Sequence, residues 1–211
     1  MDFAELVEIV GDEPVFETGL LLAGRVKPAD VRRQLSRWTK AGRLYQLRRG
    51  LYALAPPFQK SKPHPFLVAN RMLPGTYVSL QSALAFYGLI PEHVPVVTSV
   101  TTARPGRWQT PLGSYDFRHI KTDLFRGYRL TEVGSRQRAF IATPEKALLD
   151  LVYLEPGADS PDYLAELRLQ QLSRLELAVL QSEAAASPKL RRAAAIVAEL
   201  ARTEELDYEA L

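Results

Sequence analysis

The chain has 211 residues, 46% hydrophobic and 24% charged, which is typical of a soluble globular protein with one large domain or two small ones. It has no cysteine, which excludes disulfides, thiol catalysis and thiolate metal sites and is in keeping with a reducing compartment. No signal peptide is recognisable, and no apolar run is long enough to span a membrane. We therefore expect a cytoplasmic protein that has no membrane partner.

The net charge of +3 conceals a strong asymmetry along the chain. The segment from Arg25 to Arg49 contains nine basic residues and one acid and so carries +8, whereas the other 18 basic and 23 acidic residues give −5. The nine bases are Arg25, Lys27, Arg32, Arg33, Arg37, Lys40, Arg43, Arg48 and Arg49. Such a local excess of positive charge is typical of a surface that binds a polyanion.

The N-terminal quarter of the chain predicts three short helices and a hairpin. Apolar spacing predicts helices over residues 3–10 and 14–23 and a third helix from Pro28 to the stop at Gly42. Two alternating runs, 43–47 and 51–54, flank a tight turn and predict a β-hairpin. This order predicts a winged helix-turn-helix domain over residues 1–56. In such a domain the third helix enters the major groove and the wing contacts the DNA backbone.

The third helix and the wing divide the basic side chains by role. Val31, Leu35 and Trp38 recur at helical spacing and line a buried face, which leaves the bases on the opposite face. The candidates for reading base edges are Arg33, Ser36 and Arg37, since arginine bonds guanine through two hydrogen bonds and serine can donate or accept one. The candidates for phosphate contacts are Lys27, Lys40, Arg43, Arg48 and Arg49, and Arg32 suits either role. One alternative is a solvated basic helix on a generic domain. A second is an interaction protein that does not bind DNA and uses the winged helix only as a protein-docking scaffold.

A proline-rich segment, residues 57–65, predicts a linker to a mixed α/β domain over residues 66–211, so that the fold class is α+β. Helices are predicted over 66–73, from Ser79 to Gly88 and from Thr143 onward. Beyond Pro161 the pattern is helical, with breaks near Leu172 and Ser187. Strands are predicted at 76–78, 94–101, 114–120, 127–130 and 138–142. Trp108 is assigned to a basic loop with Arg104 and Arg107, either a solvated loop with one packed tryptophan or an exposed loop that touches nucleic acid.

The sequence predicts no enzyme, metal site or cofactor. The three histidines lie far apart along the chain and have no partner at metal-ligand spacing. A nucleotidyltransferase would place paired acids after a Gly-Ser pair to hold magnesium. Neither Gly113-Ser114 nor Gly134-Ser135 is followed by such a pair. Asp207-Tyr208-Glu209 lies near the C-terminus with no Gly-Ser pair close upstream.

Three segments in order resemble the AbiEi family, the antitoxin half of type IV toxin–antitoxin operons of abortive-infection systems. They are VRRQLSRWTKAGRLYQLRRGLYAL from Val31, YVSLQSALAFYGLIPE from Tyr77 and ATPEKALLDLVYL from Ala142. The resemblance implies a winged helix that represses its own operon by binding inverted repeats in the promoter. It also implies a C-terminal domain that counteracts a nucleotidyltransferase-type toxin without a stable complex.

The resemblance also implies particular residue roles, and it fades after about residue 155. It assigns DNA contact to Arg32, Arg33, Arg37, Arg48 and Arg49 and the wing turn to Gly50. The segments around Ser79 and around Thr143-Pro144-Glu145-Lys146 match only as signatures and imply no mechanism. For the second of these, helix capping and a functional surface both stay open.

Overall fold

The computed structural model describes residues 1–22 and 26–209, with side chains as far as residue 204. The helices are α1 (Phe3–Val10), α2 (Pro28–Lys40), α3 (Pro65–Met72), α4 (Leu80–Phe86), α5 (Pro144–Leu154), α6 (Pro161–Glu166), α7 (Leu177–Ala184) and α8 (Pro188–Glu209). The strands are β1 (Phe16–Glu17), β2 (Leu44–Arg48), β3 (Leu51–Leu54), β4 (Thr76–Val78), β5 (Val96–Thr101), β6 (Gly106–Thr110), β7 (Gly113–His119), β8 (Tyr128–Gly134) and β9 (Gln137–Ala142). Single 3₁₀ turns lie at Thr18–Leu22, Thr122–Leu124 and Leu172–Arg174.

The strands form two sheets, which confirms a mixture of helices and strands. The small sheet has the order β1-β3-β2 and is antiparallel. The large sheet has the order β6-β7-β5-β4-β9-β8, and it is mixed because β4–β9 and β5–β7 are parallel pairs. The strands and helices predicted between residues 66 and 154 are present, and the helical tail breaks near Leu172 and Ser187 as expected.

The helix predicted over residues 14–23 is wrong. In its place Phe16 and Glu17 form β1, which pairs with β3 opposite Tyr52 and Leu51, and the 3₁₀ turn Thr18–Leu22 follows. This pairing buries Phe16 and stacks its ring 5.9 Å from the ring of Tyr52. The contacts stabilise the strand more than the local sequence pattern favours a helix. Ala23, the last residue of that predicted helix, lies outside the described residues.

The basic loop predicted around Trp108 is wrong as well, because this segment is the edge strand β6. It pairs antiparallel with β7, with Trp108 opposite Tyr115. The Trp108 ring packs edge-on against Phe117 at 5.1 Å and covers Gly106 so closely that a Cβ there would lie 2.6 Å from the indole. An edge strand with one buried contact carries little alternation in its sequence, so periodicity does not reveal it.

Two buried apolar clusters hold the molecule together. The smaller one lies between α1, α2 and the small sheet, and it includes Leu6, Val31 and Leu35. The larger one fills the space around the six-stranded sheet, and it also takes in Leu47 and Leu51 of the hairpin. The hairpin therefore contributes side chains to both clusters.

The segment predicted as a linker contacts the large sheet. The Gln137 amide accepts a hydrogen bond from the His64 backbone at 2.8 Å and donates one to the Lys62 carbonyl at 2.9 Å. The imidazole of His64 accepts from the Phe66 backbone and caps α3. Burial lowers the pKa of His64, which favours the neutral ring that can accept this bond.

A buried polar network joins β4, α4 and α5. Asp150 is fully buried, and it accepts hydrogen bonds from the Tyr77 hydroxyl at 2.9 Å, the Ser79 hydroxyl at 2.7 Å and the Lys146 ammonium. Burial raises the pKa of the Asp150 carboxyl, and the Lys146 ammonium and the two hydroxyls oppose that rise. The small recess beside Lys146 and Asp150 holds about 10 Å³ and leaves no room for a ligand.

The start of α5 has a structural role. The Thr143 hydroxyl accepts from the Lys146 backbone and caps the helix. Glu145 is buried, and its carboxylate accepts from the Glu176 backbone at 2.9 Å, which fixes the start of α7. Gly127 lies against Lys146 with a φ of +69°, where an added Cβ would be 3.0 Å from Cγ of the lysine. Thr143 therefore caps α5, and Glu145 and Lys146 belong to the core, so this segment is not a functional surface.

We expect Lys146→Met to lower the free energy of unfolding by about 3–5 kcal/mol, because it leaves the Asp150 carboxylate buried without its countercharge. Urea denaturation measures this loss. The double variant Lys146→Met/Asp150→Leu should lose clearly less than the sum of the two single variants. Additive losses would show that the two side chains are not energetically coupled.

Candidate nucleic-acid interface

Helix α2 has one buried apolar face and one exposed basic face. Pro28 occupies its first turn and Asp30 follows there, while Arg37 and Lys40 lie in its last turn, so the charges complement the helix dipole. Val31 and Leu35 are buried. Trp38 packs edge-on against Phe3 of α1 at 5.5 Å, which fixes the rotation of α2 about its axis.

The structure brings the predicted base-reading residues to one exposed face. Arg33, Ser36 and Arg37 are exposed, and so are Lys27, Arg32 and Lys40. Arg33 lies 3.5 Å from Asp30, a solvent-exposed pair whose energy is small. Arg25, the first residue of the basic block, lies outside the described residues.

A polar groove of about 560 Å³ runs beside this face. It is lined by α2 residues that include Arg33 and Arg37, and by Met1 at the start of the chain. The Gln34 side chain donates to the Met1 carbonyl at 2.6 Å and so ties the N-terminus to α2. The sequence prediction missed Gln34, because a single glutamine on a basic helix carries no pattern.

The hairpin places its two arginines differently. Arg48 is half-buried: its guanidinium donates to the Arg71 carbonyl at 3.4 Å and lies 3.9 Å from Glu17. Arg49 is exposed at the turn and takes part in none of the ion pairs found among the described residues. Gly50 completes the turn with a φ of +83°, which favours glycine, and its carbonyl accepts from the Thr18 backbone at 2.9 Å.

Arg48 belongs to a contact between the hairpin and the large sheet. A recess of about 260 Å³ is lined by Arg48 with Met72, Leu73, Pro74, Trp108 and Phe117. The strands β2 and β6, each at the edge of its own sheet, lie next to each other here. Arg48 therefore anchors the hairpin against the body, a role that the sequence prediction of a phosphate contact missed.

Arg43 connects α2 to the hairpin. Its guanidinium is exposed and lies 5.0 Å from the centre of the Phe3 ring, a cation–π contact. Its backbone donates to the Trp38 carbonyl and accepts from Ala55, so the chain turns tightly after α2. The aromatic contact holds the Arg43 side chain against the first residue of α1.

The N-terminal part of the molecule contains an acidic and a basic segment. Residues 2–17 contain six acids and no base, and Glu5 and Glu8 of α1 are exposed. The exposed face of α2 carries bases separated from α1 by the buried cluster around Leu6 and Leu35. Two of the acids lie next to basic groups, since Glu5 is 3.8 Å from the Met1 ammonium and Glu17 is 3.9 Å from Arg48.

The described residues contain no group of three or more histidine, aspartate or glutamate side chains that could hold a metal ion. None of the helices within the described part combines the length and apolar character needed to cross a membrane.

The comparisons with known proteins bear on the fold alone. No protein-family model matches the chain, and no curated protein matches it in sequence. The crystal structure of the RV2827C protein from Mycobacterium tuberculosis is similar, with a TM-score of 0.54 and 16% sequence identity. The similarity covers 92% of this chain and 75% of that one. At this identity it shows that the two chains share an overall arrangement.

The different surroundings of Arg48 and Arg49 predict different effects of alanine substitution. Arg48→Ala should lower the free energy of unfolding by about 1 kcal/mol, because it removes a partly exposed contact between the hairpin and the body. Arg49→Ala should change it by less than about 0.5 kcal/mol, as is usual for an exposed position. Thermal and urea denaturation of the two single variants measure these changes in the free energy of unfolding. Equal losses would mean that both arginines support the hairpin.

Proposed function

We propose that the chain binds duplex DNA through α2 and the β2–β3 hairpin. The observation that carries this proposal is the exposed row of bases on α2 beside a two-residue turn with the free guanidinium of Arg49. Arg33, Ser36 and Arg37 read base edges in the major groove, and Arg49 contacts the backbone. Lys27, Lys40 and Arg43, with Arg32, supply further contacts to phosphates.

The order of elements supports a winged helix-turn-helix. Helix α1 is followed by the short strand β1, a 3₁₀ turn, α2 and the hairpin, and β1 closes the small sheet beside β3. The 3₁₀ turn Thr18–Leu22 contacts α2 and takes the place of the second helix. Gly50 serves as the wing turn, and Arg48 holds the wing against the body instead of contacting phosphate.

We further propose that the chain is an antitoxin of the AbiEi family that represses its own operon. The resemblance rests on three segments, and the second and third of them meet in the network around Asp150. Tyr77 and Ser79 come from the second segment, and Lys146 and Asp150 from the third. Because these residues contact one another in the core, the second and third segments are expected to occur together in one chain. The body would counteract a nucleotidyltransferase-type toxin without a stable complex.

DNA binding by α2 should be strongly salt-dependent. About five phosphate contacts give a slope near −4.5 for the logarithm of the binding constant against the logarithm of the salt concentration. Fluorescence anisotropy with a duplex from the chain's own promoter measures this slope. Arg33→Ala/Arg37→Ala should weaken binding to the promoter more than to a scrambled duplex of equal length, because these residues read bases.

The matched control is Arg191→Ala/Arg202→Ala, two exposed arginines of α8. This control should leave the affinity for the promoter unchanged. Equal affinity for the promoter and the scrambled duplex, or a slope close to zero, would contradict the proposed repressor.

The antitoxin role is tested by growth. Co-expression of the full chain with a nucleotidyltransferase encoded beside it should restore growth that the toxin alone arrests. Arg33→Ala/Arg37→Ala should still restore growth when both genes are under foreign promoters, because the body acts apart from the DNA-binding face. Continued growth arrest with the wild-type chain would count against this role.

A further inference from the structure

The last two strands of the large sheet carry an exposed apolar patch. In the antiparallel pair β8–β9, Leu130 lies opposite Phe140 and Tyr128 opposite Ala142. Side chains that are opposite each other or two residues apart point to the same side of a sheet. Tyr128, Leu130 and Phe140 are 37%, 48% and 43% exposed and so form one patch. A contiguous exposed patch of this kind typically marks a binding surface.

The Tyr128 ring is held in a fixed position by the core. It lies nearly parallel to the buried Tyr77 ring, at 4.6 Å and 13°, and Phe125 packs at 5.2 Å. Phe140 meets it at a right angle at 5.9 Å. Tyr77 covers one face of the Tyr128 ring, while 37% of Tyr128 is exposed to solvent. A planar ring from outside that continues the Tyr77–Tyr128 stack would use the face of Tyr128 opposite Tyr77.

Phe140 is held in place through its backbone. Its N–H group donates to the Asn70 side chain at 2.6 Å, where α3 packs against β9. The same Asn70 donates to the Thr76 carbonyl of β4 at 3.3 Å. The patch thus rests on rigid elements, so stacking on it costs little ordering of the protein.

Arginines lie around this patch. Residues 126–140 contain four arginines and one acid, Glu132. Arg126 pairs with Glu183, and Arg129 points to the other side of the sheet, which leaves Arg136 and Arg138 as the arginines available to the patch. Arg138 lies opposite Glu132 on the side of the sheet that carries the patch. Arg136 lies at the hairpin tip, where Ser135 and Arg136 both have positive φ. Arg129, Arg136 and Arg138 are exposed, and none of them takes part in an ion pair among the described residues.

We propose that the β8–β9 face binds single-stranded nucleic acid. Bases stack on Tyr128 and Phe140, and Arg136 and Arg138 contact the adjoining phosphates, a combination by which proteins bind single strands. An acidic protein would pair with the arginines but would leave the open face of the stacked tyrosine unused. A nucleic-acid strand engages both, which favours it as the occupant. This site is separate from α2, and its existence does not depend on duplex binding.

The test uses the full chain carrying Arg33→Ala/Arg37→Ala, so that α2 contributes little to binding. Fluorescein-labelled oligothymidylate and oligouridylate of about 12 nucleotides are the probes, and anisotropy at low salt gives the affinity. Phe140→Ala should lower the affinity by about 5-fold to 140-fold, the loss that follows from removing one stacking platform. Arg136→Gln/Arg138→Gln should reduce the salt slope by about 1.4. The two probes show whether DNA or RNA is preferred.

Phe86→Ala is the matched control, since Phe86 is 38% exposed and lies outside the patch. It should leave the affinity for both oligonucleotides unchanged, and melting curves verify that each variant folds. The proposal is overturned if neither oligonucleotide binds, or if Phe86→Ala weakens binding as much as Phe140→Ala. Equal binding of polyglutamate with the same dependence on Phe140 would assign the patch to acidic proteins and would also overturn it.

Discussion

The hydrogen-bonded ion pair between Lys146 and Asp150 is the interaction on which the body of the molecule depends. A fully buried carboxylate is costly unless its oxygens are satisfied, and here Tyr77, Ser79 and Lys146 satisfy them. These three donors come from a strand, the turn before α4 and the helix α5, so the network fixes the angle at which the helices meet the sheet. Leu80 has a φ of +53° directly after Ser79 and is buried. The surrounding contacts hold this strained residue in place.

The same network orders the outer surface of the sheet. Tyr77 donates to Asp150 through its hydroxyl and stacks on Tyr128 through its ring. Burial and the neighbouring Asp150 raise the pKa of Tyr77, so its hydroxyl stays protonated and acts as a donor. A single side chain therefore links the buried charge to the aromatic patch on β8 and β9. The Tyr128 ring is thereby tied to the network around Asp150.

Much of the fold could be predicted from periodicity and capping, and the failures have physical causes. Helix α2, the hairpin and the helices that begin after Ser79 and Thr143 follow from local patterns that the tertiary structure reinforces. The strand β1 could not be predicted, because it has two residues and gains its stability from β3, a partner distant in sequence. The strand β6 pairs with the adjacent strand β7, but as an edge strand it carries no clear alternation of buried and exposed residues. The exposed bases of α2 followed from helical geometry.

The role of Arg48 could not be predicted, because its partners Arg71 and Glu17 are distant in sequence. The patch on β8 and β9 was missed as well, because its members lie on two strands and only the register places Leu130 opposite Phe140. The sequence identifies candidate side chains by residue type and spacing. Their contact partners are known only once the strands and helices are placed in three dimensions.

The hairpin that separates α2 from the rest of the chain belongs to two cores at once. Tyr52 and Leu54 pack into the cluster with α1 and α2, while Leu47 and Leu51 pack into the cluster around the large sheet. Cutting the chain after the hairpin would therefore expose apolar side chains on the severed fragment. If the packing of either core is disturbed, the hairpin that both cores share transmits the disturbance to the other core. The N-terminal helices and the six-stranded sheet are thereby mechanically coupled, and the molecule is expected to unfold in one cooperative step.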